Sequence, residues 1–211
     1  MDIQELQPGL WRWTAPHPDW QPRADWEQEV GCVYYEAPDA VVLIDPLVPQ
    51  DDDEDRFWQA LDRDIDRADR PVAVLLTATW HARSTRAIVE RYDARVYAQE
   101  QPPGIFAVSD PFTEKLPGEI AAFAVPAARE AIYWLRQPRA LVPGDTIVQD
   151  ENGVRLCPEP WLEGHTLDEL RADLRQLLEL PVKLLLLSHG GPVESGAQET
   201  LARLVAAEHE G

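Results

Sequence analysis

The chain of 211 residues predicts an α/β domain: two mixed β-sheets stacked face to face, with helices on both outer faces. Three observations carry this expectation. Short apolar runs of strand length, such as residues 40–44 and 71–76, stop at turn residues. Between them lie helical periodicities, as in Phe57, Trp58, Leu61, Ile65 and Ala68. The order is hairpins, then strand–helix units, then hairpins, then helix–strand–helix, which calls for two sheets with helices outside. No solenoid repeat and no low-complexity linker divides the chain, so residues 1–211 are expected to form one domain.

Each element has a local reason. Residues 9–14 alternate as a strand does. Residues 15–25 hold Pro16, Pro18 and Trp20; prolines deny regular pairing, so a surface flap is expected. Residues 31–35 and 40–44 form a hairpin around Pro38-Asp39. Its second strand is apolar on both faces and therefore central. An acidic run from Asp51 to Asp55 opens the helix of Phe57 and Leu61, where acids favour the macrodipole. The spaced ligands and turn glycine of a calcium loop are absent from it. A buried strand over 71–76, a helix over 85–92 and a short strand over 95–98 follow. Residues 101–115 are Pro-rich and irregular. Strands are expected over 120–125, 131–135 and 140–142, the last ending at Gly144-Asp145. Residues 167–180 are helical by the spacing of Leu167, Leu170, Leu174, Leu177 and Leu178, with a capping box from Thr166 and Glu169. A strand over 182–187, the sequence Ser188-His-Gly-Gly-Pro192 with a tight turn at its glycines, and a helix to about His209 complete the chain.

Composition removes several functions. Nineteen Lys+Arg against 38 Asp+Glu give a net charge of −19. Phosphates would be repelled, which excludes a general nucleic-acid binder or an anionic-membrane binder. No apolar run approaches the ~18 residues of a membrane span. The opening residues lack a basic start and an apolar core, so no secretory signal is expected. Cys32 and Cys157 are the only cysteines and have no metal-like spacing. A reduced, cytoplasmic setting is expected, with a small molecule as partner and a monomer or homodimer as assembly.

The histidines are His17, His81, His165, His189 and His209. His81 follows the strand over 71–76, and His189 follows the strand over 182–187. Asp145 follows the strand over 140–142. Such strand-end loops collect sites in layered α/β folds. Two imidazoles and a carboxylate could hold one zinc with a position open for water; equally, each could bond only to loop backbone. His17 sits in a Pro-framed loop, open to a ligand or to solvent. His165 reads as a capping or surface group and His209 as part of a frayed terminus. Cys32 reads as core, and Cys157 has no nearby histidine in sequence to activate it. Trp11, Trp13, Trp20 and Trp26 cluster near the flap, as core or as an aromatic lid. A phosphate loop, a dinucleotide fingerprint and Gly-x-Ser-x-Gly are absent.

Several pieces, in order, resemble the metallo-β-lactamase superfamily, the αββα hydrolases that include glyoxalase-II-like enzymes. They are Gly9-Leu-Trp11, Leu43-Ile-Asp-Pro46, Val74-Leu-Leu-Thr77, Gly144-Asp145 and Leu187-Ser-His-Gly190. The resemblance spans nearly the whole chain and implies a four-layer αββα sandwich. The family's metal loop, Thr-His-x-His-x-Asp-His, maps onto Thr77 to Arg83. Ala78, Trp80, Ala82 and Arg83 stand at its four ligand positions, and His81 falls on a variable one. The family's next histidine has no counterpart in residues 125–130. Asp145 and His189 match its late ligands, and Asp45 its supporting carboxylate.

This pattern implies a degenerate site, a pseudoenzyme rather than a dinuclear zinc hydrolase. Alanine has no lone pair, tryptophan offers only an N–H, and Arg83 brings a fixed cation. The expected cleft is lined by Trp80, His81, Arg83, Asp145 and His189, with His17 and Trp20 from the flap. It would bind a small anionic organic molecule through Arg83, without a cofactor. An Arg83–Asp145 salt bridge is expected there. The alternative is a mononuclear hydrolase of esters, thioesters or lactams. In it His81, Asp145 and His189 hold one zinc or iron, and Arg83 steadies the oxyanion.

Overall fold

The computed structural model describes residues 1–50, 52–105 and 107–206. Asp51 of the acidic run, and His209 with the expected end of the last helix, lie outside the described residues.

The first sheet has six strands in sequential order: β1 (Asp2–Gln7), β2 (Leu10–Pro16), β3 (Glu29–Glu36), β4 (Val41–Ile44), β5 (Val72–Leu75) and β6 (Arg95–Tyr97). β1 to β4 pair antiparallel and β4 to β6 parallel, so the sheet is mixed. The second sheet runs β12-β9-β8-β7, from β7 (Ala121–Val125), β8 (Glu130–Leu135), β9 (Ala140–Val142) and β12 (Leu184–Leu185). Its β12–β9 pair is parallel and the others antiparallel. A separate hairpin joins β10 (Ile147–Asp150) to β11 (Gly153–Leu156). The helices are α1 (Glu54–Ala68), α2 (Thr85–Tyr92), α3 (Leu167–Leu174) and α4 (Ala197–Ala206). Among the described residues no helix is long and apolar enough to cross a membrane.

Three hydrophobic clusters define four layers. Leu10, Val42, Leu75, Tyr133, Leu135 and Val142 fill the space between the sheets. Trp13, Leu43, Phe57, Leu61, Val74 and Ile88 join the first sheet to α1 and α2. Ile132, Trp134, Leu141, Leu170, Leu174 and Leu201 join the second sheet to α3 and α4. Central strands buried on both faces read as unbroken apolar runs, as β4 and β5 do. Tyr133 is fully buried between the sheets, and its hydroxyl donates to the Leu76 carbonyl at 2.9 Å, which satisfies that polar atom.

The expected αββα sandwich is therefore present. β1 and the β10–β11 hairpin are additional to the expected elements. The helix expected over 167–180 is α-helical only to Leu174, then tightens into a 3-10 turn over Arg175–Leu177. The strand expected over 182–187 pairs regularly only at Leu184–Leu185, although the Lys183 and Leu186 amides still bond β9 and its preceding turn. It is the edge strand of its sheet, with β9 on one side and only an isolated bridge from Leu185 to Val193 on the other.

Candidate functional site

The parallel strands β4, β5, β9 and β12 deliver Asp45, Thr77, Asp145 and His189 to one region. Asp45 leaves β4 in the left-handed region, with φ of 49°. Its carboxylate accepts the Thr77 amide at 2.9 Å and the Thr77 hydroxyl at 2.5 Å. The chain then turns through a 3-10 segment, Thr79–Ala82, which swings His81 inward until it is 3% exposed. His81 Nδ1 faces Thr77 Oγ1 at 2.8 Å and Asp45 Oδ2 at 3.1 Å. On its other side, Nε2 lies 3.2 Å from Asp145 Oδ1. The same oxygen lies 3.4 Å from His189 Nε2. The Trp80 indole donates to Asp145 Oδ2 at 3.0 Å. Both imidazoles approach Oδ1 away from the hydrogen-bond line, so they pair with it by charge and distance; His189 Nδ1 is buried without a partner.

The electrostatics follow from this packing. Burial disfavours the His81 imidazolium, but the charges of Asp145 and Asp45 and the contact to Asp145 outweigh it, pushing its pKa up to about 10. Burial would raise Asp145, yet the His81 charge and the His189 and His81 contacts hold it well below the usual carboxylate range. Glu130 opens β8 and is 1% exposed. Burial, reinforced by Asp145, pushes its carboxyl well above the ordinary value. Its Oε2 accepts the Asp145 amide at 3.0 Å. Glu130, whose charged form is disfavoured by burial, thus lies beside a compact cation–anion pair.

Two glycines make this close approach possible. Gly144 has φ of 61°, and a Cβ there would lie 2.5 Å from Glu130 Oε2. Gly31 of β3 donates its amide to the Ser188 carbonyl at 2.7 Å, beside His189. A Cβ at Gly31 would lie 2.4 Å from the Leu187 carbonyl oxygen. Buried Arg12 braces the same loop by donating to the carbonyls of Leu187 and Gly190.

Arg83 departs from expectation. Its NH1 donates to the carbonyls of Asp45 at 3.1 Å and Gly31 at 3.4 Å. Among the described residues it forms no ion pair with Asp145, whose charge is met by His81 and His189 instead. The short turn after β5 aims the guanidinium back across the sheet ends. Arg83 itself has φ of 35° and ψ of −113°, a strained conformation for a residue with a Cβ.

Above the cluster opens a cavity of about 450 Å³. His17, Trp80, His81, Arg83, Asp145 and His189 all line it, as expected. Trp20 is not among the lining residues; its indole donates to the Trp26 carbonyl at 2.8 Å, and Trp26 takes the wall position. The loop after β2 also supplies Asp19 and Asp25, and the turn before α3 supplies Trp161 and Glu163. Trp26 and Trp161 approach His189 edge-on, with ring centroids at 5.6 and 5.9 Å. The Trp161 indole donates to Asp25 Oδ2 at 2.8 Å. Burial, with the charge of Arg83, lowers the pKa of His17. Cys157 also lines the cavity, but burial beside Glu130 and Asp145 pushes its thiol up to about 12, far from a reactive thiolate. His165 is exposed at the start of α3, 3.3 Å from Glu169, where a capping or surface role was expected.

Glu130, Asp19, Asp25, Trp161 and Glu163 are lining residues beyond those the sequence predicts. Glu130 had a signal, a lone acid opening the apolar run Ala131-Ile-Tyr-Trp-Leu135. The others come from loops whose meeting leaves no sequence pattern.

Among the described residues, no group of three or more His, Cys, Asp or Glu side chains is arranged to hold a metal ion. The chemistry of the donors agrees. Asp145 Oδ1 already lies between two imidazoles, 3.2 Å from His81 Nε2 and 3.4 Å from His189 Nε2.

No family model and no curated protein matches the sequence. Solved structures do. The DIM-1 metallo-β-lactamase exposed to ceftazidime is 13% identical, with 97% of this chain and 95% of that one covered and a TM-score of 0.64. The metallo-β-lactamase from Pontibacter korlensis is 14% identical over 98% and 99%, with a TM-score of 0.64. The one from Hirschia baltica is 12% identical over 99% of each chain, with a TM-score of 0.63. At these identities the likeness establishes the fold: the chain adopts the metallo-β-lactamase fold.

Proposed function

We propose that this chain carries the metallo-β-lactamase fold as a pseudoenzyme, a metal-independent cleft that binds a small organic molecule. The single observation that carries the reading is the position of Asp145 Oδ1, 3.2 Å from His81 Nε2 and 3.4 Å from His189 Nε2. Groups that would have to open around a metal are closed on one another. The positive charge comes from the protein itself. His81 lies between Asp45 and Asp145, and Arg83 packs over the Asp45 backbone. The cleft above stays open at about 450 Å³, a size that suits a small ligand. Cys32 and Cys157 are free, buried thiols, in keeping with a cytoplasmic setting.

Elemental mass spectrometry of the untagged protein, grown with added zinc, iron and manganese, tests the reading. Metal far below one equivalent is expected, together with an unfolding midpoint unchanged by chelator. Near-stoichiometric metal that disappears in His189→Ala would overturn it and restore the mononuclear hydrolase.

A further inference from the structure

We propose that the cleft takes an organic cation, a quaternary ammonium ion, seated against Trp26, Trp80 and Trp161 and drawn in by Asp19 and Asp25. This rests on the metal-independent binding reading and adds the chemical class of the ligand.

The aromatic walls come first. Three indoles line one cavity. Two of them have already committed their N–H groups, Trp80 to Asp145 and Trp161 to Asp25. Those indoles therefore offer a ligand ring surface and not a donor. A ring face is electron-rich and attracts a weakly hydrated cation. Trp80 is 48% exposed, a large apolar surface left facing water at the rim.

Charge points the same way. Among the described residues, neither Asp19 nor Asp25 has a cationic side chain within salt-bridge distance, while Glu163 is paired with Arg129 at 2.9 Å. Of the two cations of the cleft, His81 is held between Asp45 and Asp145, and Arg83 donates its NH1 to backbone carbonyls, with its Nε buried without a partner and no carboxylate within salt-bridge distance among the described residues. An anion would meet two unpaired carboxylates at the entrance; a cation meets its counter-charge. The net charge of −19 steers cations over longer range.

A third feature is independent of both. His189 is 7% exposed, lines the cavity and leaves Nδ1 buried without a partner. A hydroxyl both donates and accepts, so it can meet this nitrogen in either tautomer. A ligand hydroxyl would satisfy it. Choline, with its trimethylammonium head and one hydroxyl, is therefore a suitable probe.

The experiment is calorimetric titration of the whole chain at matched ionic strength with choline, with its neutral carbon isostere 3,3-dimethylbutan-1-ol, and with acetate. Choline is expected to bind saturably, about tenfold or more tighter than the isostere, and acetate not at all. Asp25→Asn, at an exposed position, should weaken choline and flatten its salt dependence. Trp161→Phe, which keeps an aromatic ring, should weaken it less than Trp161→Ala does. Equal binding of choline and the isostere, or saturation by acetate alone, would overturn the cation assignment and leave the binding cleft standing. No saturable choline binding up to about 10 mM would also overturn it. Stoichiometric metal in the same preparation would instead remove the reading beneath it.

Discussion

His81 is the residue on which the site turns. Its pKa, pushed to about 10 from an ordinary value of 6.5, makes its charge a stabilising group. A raised pKa contributes in full below the unfolded value and is lost as pH rises through the folded one. Asp145, held low, contributes above the ordinary carboxylate value of 3.8 and is lost as pH falls through its folded value. Thermal unfolding followed across pH should therefore show its highest stability in the weakly acidic range, between about pH 4 and 6.5, and a decline between about pH 6.5 and 10. His81→Ala should lower stability by about 3–5 kcal/mol at pH 7, because Asp45 and Asp145 lose their shared cation, and should flatten the alkaline limb. Glu130 acts in the same direction, since its raised pKa also lowers stability as pH rises. Glu130→Gln keeps the shape and an acceptor for the Asp145 amide without the proton. It removes the cost of holding the proton above the ordinary value of 4.5, so it should exceed the parent already at pH 7 and by at least as much at pH 9.5. Urea midpoints at pH 7 and pH 9.5 would check both variants.

At the scale of elements, the clearest local signals produced the clearest outcomes. The Thr166 box is formed as its sequence implies, with the Glu169 amide 3.2 Å from Thr166 Oγ1 and the Thr166 amide 2.8 Å from Glu169 Oε2. Thr166→Ala should cost about 1 kcal/mol, read as a fall in unfolding midpoint of about 2–4 °C. The β10–β11 hairpin had a signal too, since Asn152-Gly153 is a strong short-range turn pair. Its strands are only four residues each, too short for alternation to stand out. β1 was hidden for another reason. Asp2–Gln7 has no fully buried residue, and it is a strand because β2 offers a free edge. Gly31 works between elements. Gly31→Ala would push a Cβ into the Leu187 carbonyl and disturb the loop that carries His189. It should cost about 1–3 kcal/mol and weaken ligand binding in the same titration.

The whole molecule carries its charge as a cost. With 38 acids against 19 bases, the folded state repels itself. Screening should relieve this as the Debye length falls from about 10 Å at 0.1 M salt to about 3 Å at 1 M. The unfolding midpoint is therefore expected to rise with sodium chloride. A midpoint that falls with salt would mean that the surface ion pairs, such as Arg91–Asp62 and Arg67–Glu36, outweigh the repulsion.

The amino-acid sequence by itself determined the layered fold. Apolar period, turn residues and the order of elements are local properties, and three buried clusters satisfy them at once. It also marked His81, Asp145 and His189, because each follows a strand, and Asp45 through the resemblance in its Leu43-Ile-Asp-Pro46 segment. Tertiary structure alone decided which of these touch. The partners of Asp145 are 64 residues before it and 44 after it, and the distances of 3.2 and 3.4 Å depend on how two sheets meet. The turn after β5 likewise sent Arg83 to backbone carbonyls and not to Asp145. Packing also set Trp26 in the wall in place of Trp20 and brought Trp161 across to Asp25, 136 residues away. A sequence records which groups are available near each strand end; only the closing of the two sheets brings those groups into contact.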